Sequence, residues 1–145
     1  MAERTRAYAR RVDINASSER IWGALTDTLQ LGKWCSPGAK IAARPGGTFR
    51  AKIDRLTELE AHIDVFEPTR RLRLIHLPSP GWPQAESVIV DDVILEAVSD
   101  TTIVRLLGSG IPGSEDWDTS FNRLRIGWER ALARLKLYCE KEIIK

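Results

Sequence analysis

The sequence predicts an α+β fold: a curved antiparallel sheet of about six to seven strands wrapped around one long C-terminal helix, with two short helices after the first strand. Three observations predict it. Between Thr48 and Gly108 apolar and polar residues alternate with a period of two. From Ser114 to Lys145 the apolar residues recur at steps of four and three. The two patterns are segregated along the chain, which argues against alternating βα units and a parallel sheet.

Residues Ala7 to Ile14 alternate loosely and end in the β-branched Val12 and Ile14, which predicts a first strand. A helix entry follows at Asn15-Ala16-Ser17-Ser18, with Ser17 or Ser18 as cap and Glu19 in the first turn. Ile21, Trp22, Ala24 and Leu25 then give a short helix to about Thr26. Asp27-Thr28 starts a second short helix carrying Leu29, Leu31 and Trp34, and Pro37-Gly38 ends it. A short strand is expected over Lys40 to Ala43, then a turn at Arg44-Pro45-Gly46-Gly47.

The period-two region divides at its turn residues. Phe49, Ala51 and Ile53 share one face of a strand. Thr57, Leu59, Ala61, Ile63 and Val65 share a face of the next, and Leu72, Leu74 and His76 of the one after. Such alternation is the mark of antiparallel strands wet on one side. Pro78 to Pro83, with Trp82 among the prolines, reads as a longer loop. Glu86 to Val98 and Thr101 to Gly108 form a last hairpin around Ser99-Asp100.

The final helix is the clearest element. Trp117, Phe121, Leu124, Trp128, Ala131, Leu135 and Tyr138 fall on one stripe. Ser114 is placed to cap it, with Glu115, Asp116 and Asp118 near the start and Lys136, Lys141 and Lys145 toward the end, as the helix dipole favours. Gly127 in its interior costs ~1 kcal/mol relative to Ala. A residue that unfavourable implies that a strand, a loop or a ligand approaches the backbone there. Ile126 and Leu137 lie off the stripe; they read as isolated exposed residues or as part of a homodimer contact.

The chain of 145 residues reads as one domain, 1–145. With 43% hydrophobic and 29% charged residues it can build a core and is not a disordered segment. Its 22 basic and 20 acidic side chains are too balanced to argue for nucleic acid. No apolar run reaches the ~20 residues of a membrane span, and the basic N-terminus lacks the apolar core of a signal peptide. Two cysteines, Cys35 and Cys139, are too few for a disulfide scaffold, so a reduced, cytoplasmic protein is expected. His62 and His76 stand on separate strands with no cysteine at ligand spacing, so no metal site is predicted. No glycine-rich phosphate loop and no nucleophile elbow can be read, and no cofactor is expected.

Two polar residues share a face with apolar ones. His76 is in phase with Leu72 and Leu74, and its unperturbed pKa near ~6.5 suits acid–base work. It reads either as a pocket residue or as a core histidine bonded to a neighbour. Of Asp91 and Asp92, the strand phase set by Val93 and Leu95 turns Asp91 inward, where a lone carboxylate is costly and needs a partner. His62 alternates with Glu60 and Asp64 and faces solvent. Trp34, Phe49, Phe121, Leu124 and Trp128 form an apolar wall, either plain core or the lining of a void. Trp82 either closes a pocket mouth or docks on the surface.

The ordered set Ile21-Trp22, Leu31-Gly32-Lys33-Trp34, Pro45-Gly46-Gly47-Thr48-Phe49, Glu67-Pro68-Thr69-Arg70-Arg71-Leu72, and Gly127-Trp128 followed by Leu132 and Leu135 resembles the START-like (SRPBCC) helix-grip domains. Within them it is most similar to the bacterial homologues of the Hsp90 ATPase activator, and His76 stands where that branch often carries an aromatic. The resemblance implies a small cytoplasmic domain with a hydrophobic pocket for a small ligand, sometimes adapted to catalysis in cyclase relatives, and it implies a chaperone partner.

Three functions are therefore expected in order. The first is binding of a small hydrophobic or amphipathic ligand, lipid or polyketide-like, in a cavity between the sheet and the last helix. That cavity would be lined by Trp34, Phe49, Ala51, Leu74, His76, Asp91, Val93, Phe121, Leu124 and Trp128. The second is a cyclase- or hydrolase-like enzyme with His76 and Asp91 as acid or base. The third is a chaperone-associated module.

Overall fold

The computed structural model describes residues 4–141. Seven strands form one antiparallel sheet: β1 (Thr5–Ile14), β2 (Lys40–Ile41), β3 (Thr48–Asp54), β4 (Thr57–Glu67), β5 (Arg71–His76), β6 (Val90–Val98) and β7 (Thr101–Pro112). Their order across the sheet is β1-β7-β6-β5-β4-β3-β2. Helices α1 (Ser18–Thr26) and α2 (Thr28–Trp34) fall between β1 and β2, and α3 (Asp118–Lys141) ends the described chain. This is the helix-grip architecture, α+β with the long helix against the sheet.

The two short helices form where their caps direct. Ser17 accepts a hydrogen bond from the Arg20 amide at 3.1 Å, which satisfies one of the free amides of the first turn. Asp27 ends α1 and caps α2, accepting from the Gln30 amide at 3.0 Å. The strands bury the faces that alternation selects: Phe49, Ala51 and Ile53 on β3, Leu59, Ala61 and Ile63 on β4, Leu72 and Leu74 on β5.

Helix α3 lies over the concave side of the sheet, with Leu124, Trp128, Leu132 and Leu135 all buried. Each such side chain contributes ~1.5–3 kcal/mol by leaving water. Gly127 sits where β3 comes closest. A Cβ added there would lie 2.9 Å from Cδ1 of Ile53 and 3.0 Å from Oδ2 of Asp54. Of the candidates that its cost implied, the structure supplies the strand. Arg134 fastens the same contact, donating from Nη2 to the Ile53 carbonyl at 2.8 Å.

Four boundaries differ from expectation, each for a local reason. The last helix begins at Asp118 rather than at Ser114. Glu115–Trp117 form a 3₁₀ turn, closed by the Trp117 amide on the Ser114 carbonyl at 3.0 Å, and the Ser114 side chain caps nothing. Strand β6 begins at Val90 rather than Glu86, because the Ser87 hydroxyl instead bonds the Gly110 carbonyl at 2.6 Å. Strand β7 runs on to Pro112, drawn along by pairing with β1 as far as Thr5 opposite Pro112. Strand β2 is two residues long, Lys40–Ile41. Lys145 lies outside the described residues.

Candidate functional site

Three strands and α3 place four polar side chains at one buried point. In the register of the sheet, Tyr8 of β1 stands opposite Gly108 of β7, and Gly108 stands opposite Asp91 of β6. Tyr8 and Asp91 are thus two strands apart, roughly 9–10 Å at the usual strand spacing. Between them the sheet offers no side chain. A Cβ at Gly108 would lie 2.1 Å from Cζ of Tyr8, so the phenol ring occupies that space. Lying across the glycine, Tyr8 donates its hydroxyl to Oδ1 of Asp91 at 2.5 Å.

The other carboxylate oxygen of Asp91 is met from two sides. Nε2 of His76, on β5, lies 2.5 Å from Oδ2. Nε1 of Trp128, on α3, donates to the same oxygen at 2.9 Å. Asp91 is 0% exposed. A carboxylate buried there alone would be strongly unfavourable; two donors and the imidazole converging on its two oxygens are what make the position tenable. Burial, the charge of Asp91 and the hydrogen bond to it together hold the Tyr8 phenol well above its ordinary pKa. Tyr8 is therefore a protonated donor throughout the physiological range.

An apolar cleft of about 520 Å³ opens beside this cluster, where the β5–β6 connection passes the start of α3. His76, Pro78, Trp82, Val88 and Trp117 are among its walls. The Trp82 ring stands edge-on to the His76 imidazole, centroids 5.9 Å apart, and tilts against Trp117 at 5.5 Å. Trp82 is thus held against the histidine rather than loose on the surface. Nε1 of Trp117 donates to the Gln84 carbonyl at 3.3 Å, which ties the loop to the helix entry.

The ten residues expected to line a cavity beneath the helix have several fates. His76, Asp91 and Trp128 come together in the cluster. Trp34, Phe49, Leu74, Val93 and Leu124 are buried in the hydrophobic core. Trp34 uses its indole N–H on the Ala24 carbonyl at 2.7 Å. Ala51 borders a small recess of about 120 Å³ beside Ser36 and Lys52, away from the cluster. Phe121 is half-buried against Tyr8, with the Arg6 guanidinium 4.6 Å over its ring. The apolar cleft lies beside the entry to α3 rather than under its middle, where Gly127 has let β3 close in.

Sequence reasoning missed Tyr8, Trp117 and Gly108 as parts of the site. A glycine inside a strand is a signal of close approach, and Tyr8 shares the inward phase of Ile14. His62 is exposed on the outer face, as its neighbours required. Asp92, one residue from Asp91, points the other way and is clasped by Arg71 at 2.8 Å and Arg73 at 3.1 Å. Cys35 and Cys139 are free thiols, each pushed by burial to a pKa of about 11. Among the described residues no group of histidine, cysteine and carboxylate side chains is placed to hold a metal ion. No helix of the described residues is long and apolar enough to cross a membrane.

Residues 15–140 match the family described as Activator of Hsp90 ATPase homolog 1-like protein. The chain belongs to that family. Solved structures agree on the START-like helix-grip fold. Protein MLL2253 from Mesorhizobium loti superposes with a TM-score of 0.77 at 19% identity, covering 94% of this chain and 98% of its own. A protein described as the Aha1 dimer from Colwellia psychrerythraea gives 0.75 at 23% identity, over 93% of this chain and 96% of its own. CalU16 from Micromonospora echinospora gives 0.70 at 22% identity, over 99% and 90%. No curated protein matches the chain in sequence.

Proposed function

We propose that this domain binds a small hydrophobic or amphipathic molecule in the cleft between the β5–β6 connection and the start of α3. The observation that carries the reading is the cleft itself. It holds about 520 Å³ within ring and proline walls, and the buried His76 imidazole stands behind one of those walls, the Trp82 ring. Ligand sites are commonly apolar concavities of ~300–1,000 Å³ with few polar groups. Membership of the family supports the same reading.

Thermal unfolding with a panel of aromatic and lipid-like compounds tests it. A ligand at about 100 times its Kd raises stability by ~2.7 kcal/mol. Trp82 and Trp117 report occupancy by fluorescence. If no compound shifts the midpoint or the emission, the cleft is not a binding site.

A second reading has one specific observation in its favour. The His76–Asp91 contact at 2.5 Å is the arrangement by which a carboxylate fixes an imidazole for acid–base work. On this reading His76→Gln, which can keep an N–H toward Asp91, abolishes turnover while the domain stays folded. For its setting we infer the cytoplasm, on the strength of two free thiols. A homodimer is supported by the Colwellia relative described as one, and sedimentation of the purified chain decides it.

A further inference from the structure

The cluster leaves one atom unmatched. Nε2 of His76 meets Asp91, but Nδ1 is buried and has no partner among the described residues. A buried polar atom left bare costs ~1–3 kcal/mol, so such an atom marks a contact that something else completes. The imidazole is 0% exposed. On the cleft side the ring packed against it is the Trp82 indole, carried by the loop between β5 and β6.

The chemistry of the missing contact follows from the proton positions. Tyr8 and Trp128 both donate to Asp91, which accepts at both oxygens. The tautomer that gives this carboxylate a third donor carries its proton on Nε2. In a neutral imidazole of that tautomer, Nδ1 carries a lone pair and can only accept. The completing group must be a donor.

We propose that Nδ1 of His76 is the polar contact for the ligand of the cleft, that this ligand is a flat aromatic bearing a single O–H donor, a phenol or enol, and that it seats by displacing the Trp82 indole. The inference rests on the ligand-binding reading of the cleft. Shape argues for the aromatic class. The indole stands between the imidazole and Trp117, at 5.9 Å and 5.5 Å, so the space it vacates is a slot walled by rings. Offset or edge-on ring contacts add ~0.5–1.5 kcal/mol each beyond burial.

The test uses β-naphthol and its methyl ether, which share a shape and differ in the donor. The chain has two histidines, and His62 is exposed, so His62→Asn leaves the imidazole nitrogens of His76 alone in the spectrum. In the free protein Nε2 is found protonated and Nδ1 bare. β-Naphthol moves the Nδ1 resonance toward the hydrogen-bonded position. The ether binds about tenfold more weakly, the worth of one hydrogen bond to a buried acceptor. Trp82→Ala binds the naphthol at least as tightly as the parent, since nothing has to be displaced. A protonated Nδ1 in the free protein overturns the proposal, as does equal binding of the two compounds or naphthol binding that leaves Nδ1 unmoved. Those results leave the cleft reading standing. Absence of binding by either compound, together with an inert screen, overturns both.

Discussion

The Tyr8 hydroxyl reaches Oδ1 of Asp91 across the full width of an intervening strand, over the bare Cα of Gly108. The glycine is thus part of the cluster although it contributes no polar atom.

Gly108→Ala puts a methyl within 2.1 Å of the phenol ring. Tyr8 must withdraw, and the carboxylate loses a donor. Overpacking at ~1–3 kcal/mol and an unmet buried acceptor at ~1–3 kcal/mol together give a loss of about 2–6 kcal/mol. Urea unfolding measures it. In a Tyr8→Ala background the same substitution costs under ~1 kcal/mol, a coupling that a double-mutant cycle reads directly.

Gly127→Ala is a helix-favouring change worth ~1 kcal/mol in isolation. Here its Cβ meets the fully buried Ile53 at 2.9 Å. The expected net effect is destabilisation of about 1 kcal/mol, the overpacking term exceeding the propensity gain. Ile53→Val removes the nearest contact, Cδ1, but keeps its own Cγ1, and Oδ2 of Asp54, at 3.0 Å, so Gly127→Ala costs less in that background. A stabilised single variant refutes the close approach.

Asp92 governs the acid limb. Burial raises its pKa, but the hydrogen bonds and charges of Arg71 and Arg73 outweigh burial and hold it below the usual carboxylate value. A depressed folded value means stability that is present above the unfolded carboxylate range, near ~3.9, and lost as pH falls through the folded value. Both arginines are about a third exposed, so screening keeps the contribution to roughly 1 kcal/mol. Asp92→Asn flattens stability against pH below about 4 and leaves the alkaline side unchanged.

The alkaline limb belongs to Tyr8 and the two thiols. Burial leads the rise in each. Raised values mean stability complete below the unfolded values, near ~8.5 for a thiol and ~10 for a phenol, and lost as pH climbs through the folded ones. Tyr8→Phe removes the component above about 10. At neutral pH a thiol reagent labels the buried Cys139 only as fast as the protein opens, while the half-buried Cys35 reacts first; fast labelling of Cys139 in the folded protein contradicts its burial.

Most of the fold was legible because alternation reports directly on a sheet with one dry face. Leu72, Leu74 and His76 declared their side of β5, and Val93 with Leu95 fixed the sense of Asp91. The helix ends were harder: Ser114 has the right chemistry for a cap, yet Trp117 turns the chain into a tighter coil first. The partnership of Tyr8 with Asp91 needs the pairing of β1 with β7 and β7 with β6, and no local pattern carries a register. The cleft was illegible for a related reason. Its walls come from 75–89, a stretch mostly without periodicity, and from a tryptophan that a stripe would assign to the core.

Satisfaction of Asp91 draws on residues 83 positions before it and 37 after it. During synthesis the chain emerges from the amino end, so Tyr8 and His76 are available early and Trp128 comes last. Until that indole arrives, a nascent chain has a hairpin-rich sheet whose central acid lacks one of its donors and whose concave face lacks its cover. Contacts this distant in sequence also form slowly. Ribosome-bound chains stalled before Trp128 are accordingly expected to be protease-sensitive along β6, and release of the full chain to bring protection in one step.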